Sequence, residues 1–195
     1  VVQSPEGTAS PWSQYRNGPG HTGTTSDLGP ETNPGTLWTF QTGESINSEA
    51  AIVDCIAYIG SGDGNLYALD AATGAEKWKF DSGAAVDCGP AVANGVVYVT
   101  TRNDELIAVS TDDGSEQWRF AKANSNASAV LDGENLYLAG NDGKVYALDP
   151  ATGQERWSFA TGLTTGRTPA ATDGVLVAGT EEGTLFAIDT TDGTQ

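Results

Sequence analysis

Side chains able to do chemistry are few in this chain and badly spaced for it. His21 is the only histidine, so no convincing Ser-His-Asp set can be assembled around it. The two cysteines, Cys55 and Cys88, lie far from that histidine in sequence and cannot close a zinc site without help. The run Thr111-Asp112-Asp113-Gly114 lacks the alternating oxygen ligands and the closing glutamate of a calcium loop. Asp63 and Asp142 stand where hairpin turns are expected, and Asp is favoured in turns because it bonds its own backbone. There is no Gly-rich loop ending in Gly-Lys for phosphate. No Val-Ala-Ile-Lys, His-Arg-Asp or Asp-Phe-Gly element of a kinase is present. The residues therefore point to no catalytic set, no metal site and no cofactor.

Charge narrows the partners. The 195 residues hold 26 Asp plus Glu against 9 Lys plus Arg, a formal net charge of −17. Nucleic acid and anionic membrane surfaces are disfavoured, because both need clustered bases. No apolar run approaches the roughly 18 residues of a membrane-spanning helix, so no membrane insertion by this chain is expected. The acids are scattered singly between Trp, Tyr and Val positions rather than massed in blocks. That pattern reads as a folded domain with an acidic, self-repelling shell. Such a shell is similar to the surfaces of proteins from salt-loving organisms; a merely acidic secreted protein is the plainer alternative. Val1-Val2-Gln3-Ser4-Pro5 reads as a trimmed end that a signal or lipid anchor could precede.

The elements that position these residues come from a repeat. Trp38, Trp78, Trp118 and Trp157 recur at steps of 40, 40 and 39 residues, each followed two places later by Phe40, Phe80, Phe120 or Phe159. Gly74, Gly114 and Gly153 lie four residues before the later three Trp, and Gly193 is a fourth such glycine. Between them run short apolar segments rich in Val, Ile, Leu and Tyr, bounded by Gly and Asp, which read as strands and hairpins. The expected first strands are Ala50–Val53, Pro90–Ala93, Ala129–Asp132 and Pro169–Thr172. Second strands begin at Ile56, Val96, Leu136 and Val175. Third strands include Leu66, Leu106, Val145 and Leu185, and the fourth carry Trp-x-Phe. Asn94-Gly95 and Asp173-Gly174 suit two-residue type I′ turns. Four short antiparallel strands every ~40 residues make the fold class all-β: a β-propeller with about four blades in this chain. Repeats start near residues 41, 81, 121 and 160, and residues 1–36 are expected to pack on the propeller as an N-terminal extension.

The string Gly64-Asn65-Leu66-Tyr67-Ala68-Leu69-Asp70-Ala71-Ala72-Thr73-Gly74-Ala75-Glu76-Lys77-Trp78-Lys79-Phe80 closely resembles the repeat of pyrroloquinoline-quinone-type (PQQ-like) propellers. Asp142–Phe159 matches as well; the second repeat departs, with Glu105 in place of Gly and Ser110 in place of Asp. Trp12-Ser13-Gln14-Tyr15-Arg16-Asn17 and His21-Thr22-Gly23 resemble the segment preceding the first blade in such proteins. The resemblance implies either a non-enzymatic interaction or ligand-sensing scaffold or, as the alternative, part of a quinoprotein dehydrogenase using PQQ and calcium. The enzymes of that group carry adjacent cysteines over the quinone and an Asp base, and no Cys-Cys pair exists here. The scaffold reading is preferred, and with it the resemblance implies an exported protein with an extracellular or cell-surface location.

Two placements follow from the repeat. In register, Asn47, Asp87, Asn126 and Gly166, followed by Ser48, Cys88, Ala127 and Arg167, fall at the mouth of the central funnel. Asn47, Asp87, Asn126 and Arg167 are therefore the candidate ligand-binding residues; the plainer reading is that they solvate the chain as it enters the first strand. Asn126-Ala127-Ser128 is also a formal N-glycosylation triplet. Cys55 and Cys88 fall at opposite ends of a first strand, too far apart for a disulfide, and are expected to be free thiols. Leu37–Phe40 is an orphan fourth strand and the last blade lacks one. Half of a seven- or eight-bladed ring, associating through open blade edges with itself or another protein, is the expectation over a self-closed four-bladed ring.

Overall fold

The computed structural model describes residues 35–121, 125 and 127–195. The expected N-terminal extension at 1–34 and the candidate Asn126 lie outside the described residues. Blade one is built from β1 (Ala51–Val53), β2 (Ile56–Gly60), β3 (Asn65–Asp70) and β4 (Glu76–Asp81). Blade two is β5 (Ala91–Ala93), β6 (Val96–Thr100), β7 (Leu106–Ser110) and β8 (Glu116–Phe120). Blade three is β9 (Val130–Asp132), β10 (Asn135–Ala139), β11 (Lys144–Leu148) and β12 (Glu155–Ala160). Blade four holds β13 (Ala170–Thr172), β14 (Val175–Gly179) and β15 (Leu185–Asp189). Each sheet is an antiparallel meander in chain order, the first three with four strands and the last with three. The first strand of each blade starts one residue later than the sequence suggests.

Side chains alternate between the two faces of each strand, and here both faces are buried because a blade is flanked by blades. In β6, Val97 and Val99 join the layer shared with blade one, while Val96 and Tyr98 join the layer shared with blade three. A third layer joins blades three and four. Every residue counted as buried and polar among those described is a Ser or Thr, so the carboxylates all reach solvent to some degree.

The repeated Trp and Gly lock neighbouring blades. A Cβ added to Gly114 would meet the Trp78 ring at 2.8 Å, and Gly74, Gly153 and Gly193 lie as closely under Trp38, Trp118 and Trp157. The indole Nε1 atoms of Trp38, Trp78, Trp118 and Trp157 donate to the carbonyls of Ala71, Thr111, Pro150 and Thr190 of the following blade, at 2.9–3.1 Å. Gly114 has φ 73°, a left-handed turn that glycine alone adopts without cost while leaving room for the indole. Upstream of these glycines, Asp70 Oδ1 accepts from the Ala72 and Thr73 amides and the Thr73 hydroxyl, and Asp149 repeats the pattern with Ala151 and Thr152. On the same side, Asp54 and Cys55 both have positive φ, as do Asn94-Gly95 and Asp173-Gly174, the geometry of a type I′ turn.

The glycine position of the second repeat is occupied by Asp104, with φ 63°, where Gly64 has φ 86°. Glu105, expected to stand there, is one residue further on and pairs with Arg119. Leu37–Phe40 forms no strand, and no third strand lies beside it among the described residues. Trp38 nonetheless docks on blade one through Ala71, and Phe40 packs edge-on to Tyr67 with ring centroids 5.4 Å apart. β15 has no outer partner among the described residues, so the self-closed ring does not form here. The two end faces stay open: Leu185 is 73% exposed, whereas its counterparts Leu66 and Leu106 are at 0%. Ile52 at the other end is 45% exposed, against 4% for Val92. Both cysteines are free, Cys55 exposed in the β1–β2 turn and Cys88 half-buried at the other end of the strands.

Candidate functional site at the inner rim

The segments entering β1, β5, β9 and β13 meet at one end of the inner strands. Hydroxyls tie three of these entries to a sheet, those of β1 and β9 to their own and that of β13 to blade three. Ser48 Oγ donates to the Gly60 carbonyl and accepts from the Gly60 amide, both at 2.9 Å. Ser125 Oγ donates to Ala139 at 2.6 Å, and Thr165 Oγ1 donates to Gly140 at 2.6 Å. The loops between the second and third strands are fastened to the same entries: the Gly62, Arg102 and Glu181 amides donate to the Ser45, Ala85 and Thr164 carbonyls. These bonds satisfy the irregular backbone of the rim where it is described.

On that frame lies a groove of about 380 Å³ lined by Asn47, Glu49, Asp87, Cys88, Ser128, Gly166, Arg167 and Thr168. All four blades contribute. Asn47 Nδ2 donates to Asp87 Oδ1 at 3.1 Å, one repeat onward. The Ser128 amide donates to Thr168 Oγ1 at 3.1 Å in the same repeat-to-repeat fashion. Glu49 leans across toward blade two, its carboxylate 2.9 Å from where a Cβ on Gly89 would stand. A second cavity of about 460 Å³ opens beside it, lined by Asp87, Cys88, Thr100, Thr101, Arg102 and Ser125. Asp87 and Cys88 belong to both. Arg102 Nε forms an ion pair with Asp87 Oδ2. Burial pushes the Cys88 thiol up; a hydrogen bond with Thr100 opposes this, and the charges of Asp87 and Glu49 add to it. The thiol is therefore neutral near pH 7.

Of the candidates read from sequence, Asn47 and Asp87 are joined directly, and Arg167 lines the same groove without bonding to them. Sequence reasoning missed Arg102, Glu49, Ser128 and Thr168. Arg102 had a signal: it stands at a loop position where the other repeats carry Gly62, Asn141 and Glu181. Among the described residues no three His, Cys, Asp or Glu side chains are grouped to hold a metal ion.

A second set of carboxylates serves structure. Tyr67 Oη donates to Asp63 Oδ2 at 2.7 Å, and the Gly43 amide donates to the same oxygen at 2.7 Å. Burial by itself raises the Asp63 pKa, but the Tyr67 hydroxyl and the Gly43 and Asn65 amides outweigh it and bring it to about 2. Asp142 and Tyr146 repeat the pair in blade three.

The repeat, the antiparallel blades and the Trp clasps define a β-propeller protein. The family described as outer membrane protein assembly factor BamB matches residues 26–168, and the chain belongs to that family. Among solved structures, BamB from Moraxella catarrhalis is 25% identical and superimposes with a TM-score of 0.73, over 97% of this chain and 57% of that one. A quinohemoprotein alcohol dehydrogenase from Comamonas testosteroni is 17% identical with a TM-score of 0.79, over 95% of this chain and 40% of that one. The computationally designed Ika4 protein is 16% identical with a TM-score of 0.70, over 81% of this chain and 99% of that one. The chain thus spans 57% or less of the two natural proteins, and the likeness to the last two shows the fold alone. No curated protein matches in a direct sequence comparison.

Proposed function

We propose that this chain is a non-enzymatic interaction scaffold that holds a segment of a partner protein in the inner-rim groove. The observation that carries the reading is the groove itself, to which four consecutive blades each contribute polar side chains. Membership in a family described by an assembly factor supports a binding role. We place the protein outside the cytoplasm, at the cell surface or in an exported compartment, in keeping with that family, and assign its acidic shell to a salt-rich setting. The open end faces, where Leu185 and Ile52 are exposed, are assigned to a further blade of the same kind.

Likeness to a quinohemoprotein dehydrogenase raises the other reading, in which a quinone and calcium sit over the rim. The residues present do not fit it. Cys55 and Cys88 stand at opposite ends of the sheet and cannot stack together over a quinone, and Asp87 is held by Arg102 and Asn47 instead of standing free as a base. Titration with pyrroloquinoline quinone and calcium, followed by dye-linked alcohol or sugar oxidation, should give no turnover. Reproducible turnover overturns the scaffold reading. A photo-cross-linking residue at Thr168 should capture one discrete partner, and the same residue at exposed Ala72 on the other face should not.

A further inference from the structure

The cavity between blades two and three differs from its surroundings. Thr101 is only 3% exposed, and its Oγ1 is buried without a hydrogen-bond partner. An unsatisfied buried hydroxyl costs stability unless something bonds it. The cavity it lines is about 460 Å³, at the small end of ligand-sized pockets. Thr100 and Ser125, also in the wall, already spend their hydroxyls on the Ala127 and Ala139 carbonyls. At the rim, Arg102 gives only Nε to Asp87, and the two terminal nitrogens of its fork have no hydrogen-bond partner among the described residues. Its side chain is 67% exposed. The Asp87 carboxylate is occupied by Arg102 and Asn47, and the other nearby carboxylate among the described residues, Glu49, lies in the adjoining groove and not in the cavity wall. Among the described residues, a thiol and hydroxyls form the rest of the wall.

We infer that this cavity binds a carboxylate, the C-terminus of a peptide lying in the adjoining groove. An open guanidinium fork matches the two oxygens of a carboxylate in a way that no single-point cation does. The Thr101 hydroxyl supplies the deeper hydrogen bond. Asp87 and Cys88 line both the groove and the cavity, so the two are continuous. An extended segment crossing the rim from blade four ends at the cavity. The peptide source rests on the scaffold reading; the carboxylate chemistry does not.

The test uses Cys88 as reporter in a Cys55→Gly background, with alkylation by N-ethylmaleimide followed by mass spectrometry in molar KCl. The probes are N-acetyl-glycyl-serine, its C-terminal amide and sodium acetate. The free acid is expected to slow Cys88 alkylation by about fivefold or more at saturation, and the amide to leave it unchanged. Arg102→Gln should abolish that protection. Thr101→Val, which keeps the shape and the ion pair, should weaken the half-saturating concentration by roughly 2–10-fold. Equal protection by acid and amide overturns the proposal, as does protection that survives Arg102→Gln, or no protection by any probe. Protection by acetate equal to that by the dipeptide acid overturns the peptide terminus in favour of a free small acid. The quinone assay is independent of these outcomes, so the two readings fail separately.

Discussion

Replacing Gly114 with Ala should destabilise the protein far more than the same change at Gly95. The two glycines have nearly the same backbone, φ 73° and φ 77°. An L-residue in that region costs about 1–2 kcal/mol at either site, partly offset by the lost flexibility of the unfolded chain. Surroundings separate them. A Cβ on Gly95 meets only Thr111 Oγ1 at 3.8 Å, an ordinary contact. A Cβ on Gly114 meets Trp78 Cε3 at 2.8 Å and Cδ2 at 2.9 Å. The indole must retreat by about 1 Å to restore normal carbon separation. That movement breaks the 2.9 Å bond from Trp78 Nε1 to the Thr111 carbonyl, which contributes about 1 kcal/mol. It also loosens the ring from Tyr58, whose centroid is 5.8 Å away, for about 0.5–1.5 kcal/mol more. The sums are about 3–4 kcal/mol for Gly114→Ala and about 1–2 kcal/mol for Gly95→Ala. Urea unfolding followed by Trp fluorescence in molar KCl measures both. In a Trp78→Ala background the excess at Gly114 should vanish. Equal costs at the two glycines, or an excess that persists without Trp78, would refute the account of the Trp as a clasp between blades.

Three other outcomes are expected. With a net charge of −17 and no carboxylate among the buried residues described, the melting temperature should climb steeply from dilute buffer to molar NaCl or KCl, as screening removes self-repulsion; a flat curve counts against the salt-adapted reading. Asp63 has its pKa depressed to about 2 in the folded state, so its stabilisation is present above the unfolded value near 4 and is lost as pH falls toward 2. After allowance for partial solvent screening, Asp63→Asn should cost about 1–2 kcal/mol at pH 7, and the gap from wild type should close by about pH 2; a gap independent of pH sinks the linkage. Cys55 sits at φ 61° in a type I′ turn where other repeats place Gly95 and Gly174, so Cys55→Gly should stabilise by about 0.5–1 kcal/mol in thermal or urea unfolding. Loss of stability there would mean the thiol makes a contact that the turn geometry does not require.

Much of this protein is legible in its amino-acid sequence, because a propeller blade is a local object. Its hairpins pair neighbours in sequence, the turn between third and fourth strands is closed by its own Asp70, Thr73 and Gly74, and period-two alternation assigns each strand two faces. Repetition multiplies that signal, so that Trp38, Trp78, Trp118 and Trp157 are recognisable as equivalent parts and their interblade role follows from size and spacing. The register also puts Asn47 one repeat before Asp87, and the two do meet. It misplaces Glu105 by one residue, because Asp104 can adopt the left-handed turn otherwise given to Gly64 and so hides the equivalence.

The carboxylate cavity belongs to the tertiary structure alone. Arg102 and Asp87 come from different loops of one blade, and Arg102 stands where the other repeats carry Gly62, Asn141 and Glu181, so periodicity says nothing of their meeting. That Thr101 is buried without a partner is decided by packing and not by the pattern of its own strand. Openness at the ends is likewise a matter of packing. Leu185 carries the same sequence signature as Leu66 and Leu106, yet is exposed, because burial of a blade face is decided by the neighbour that covers it and not by the strand that presents it.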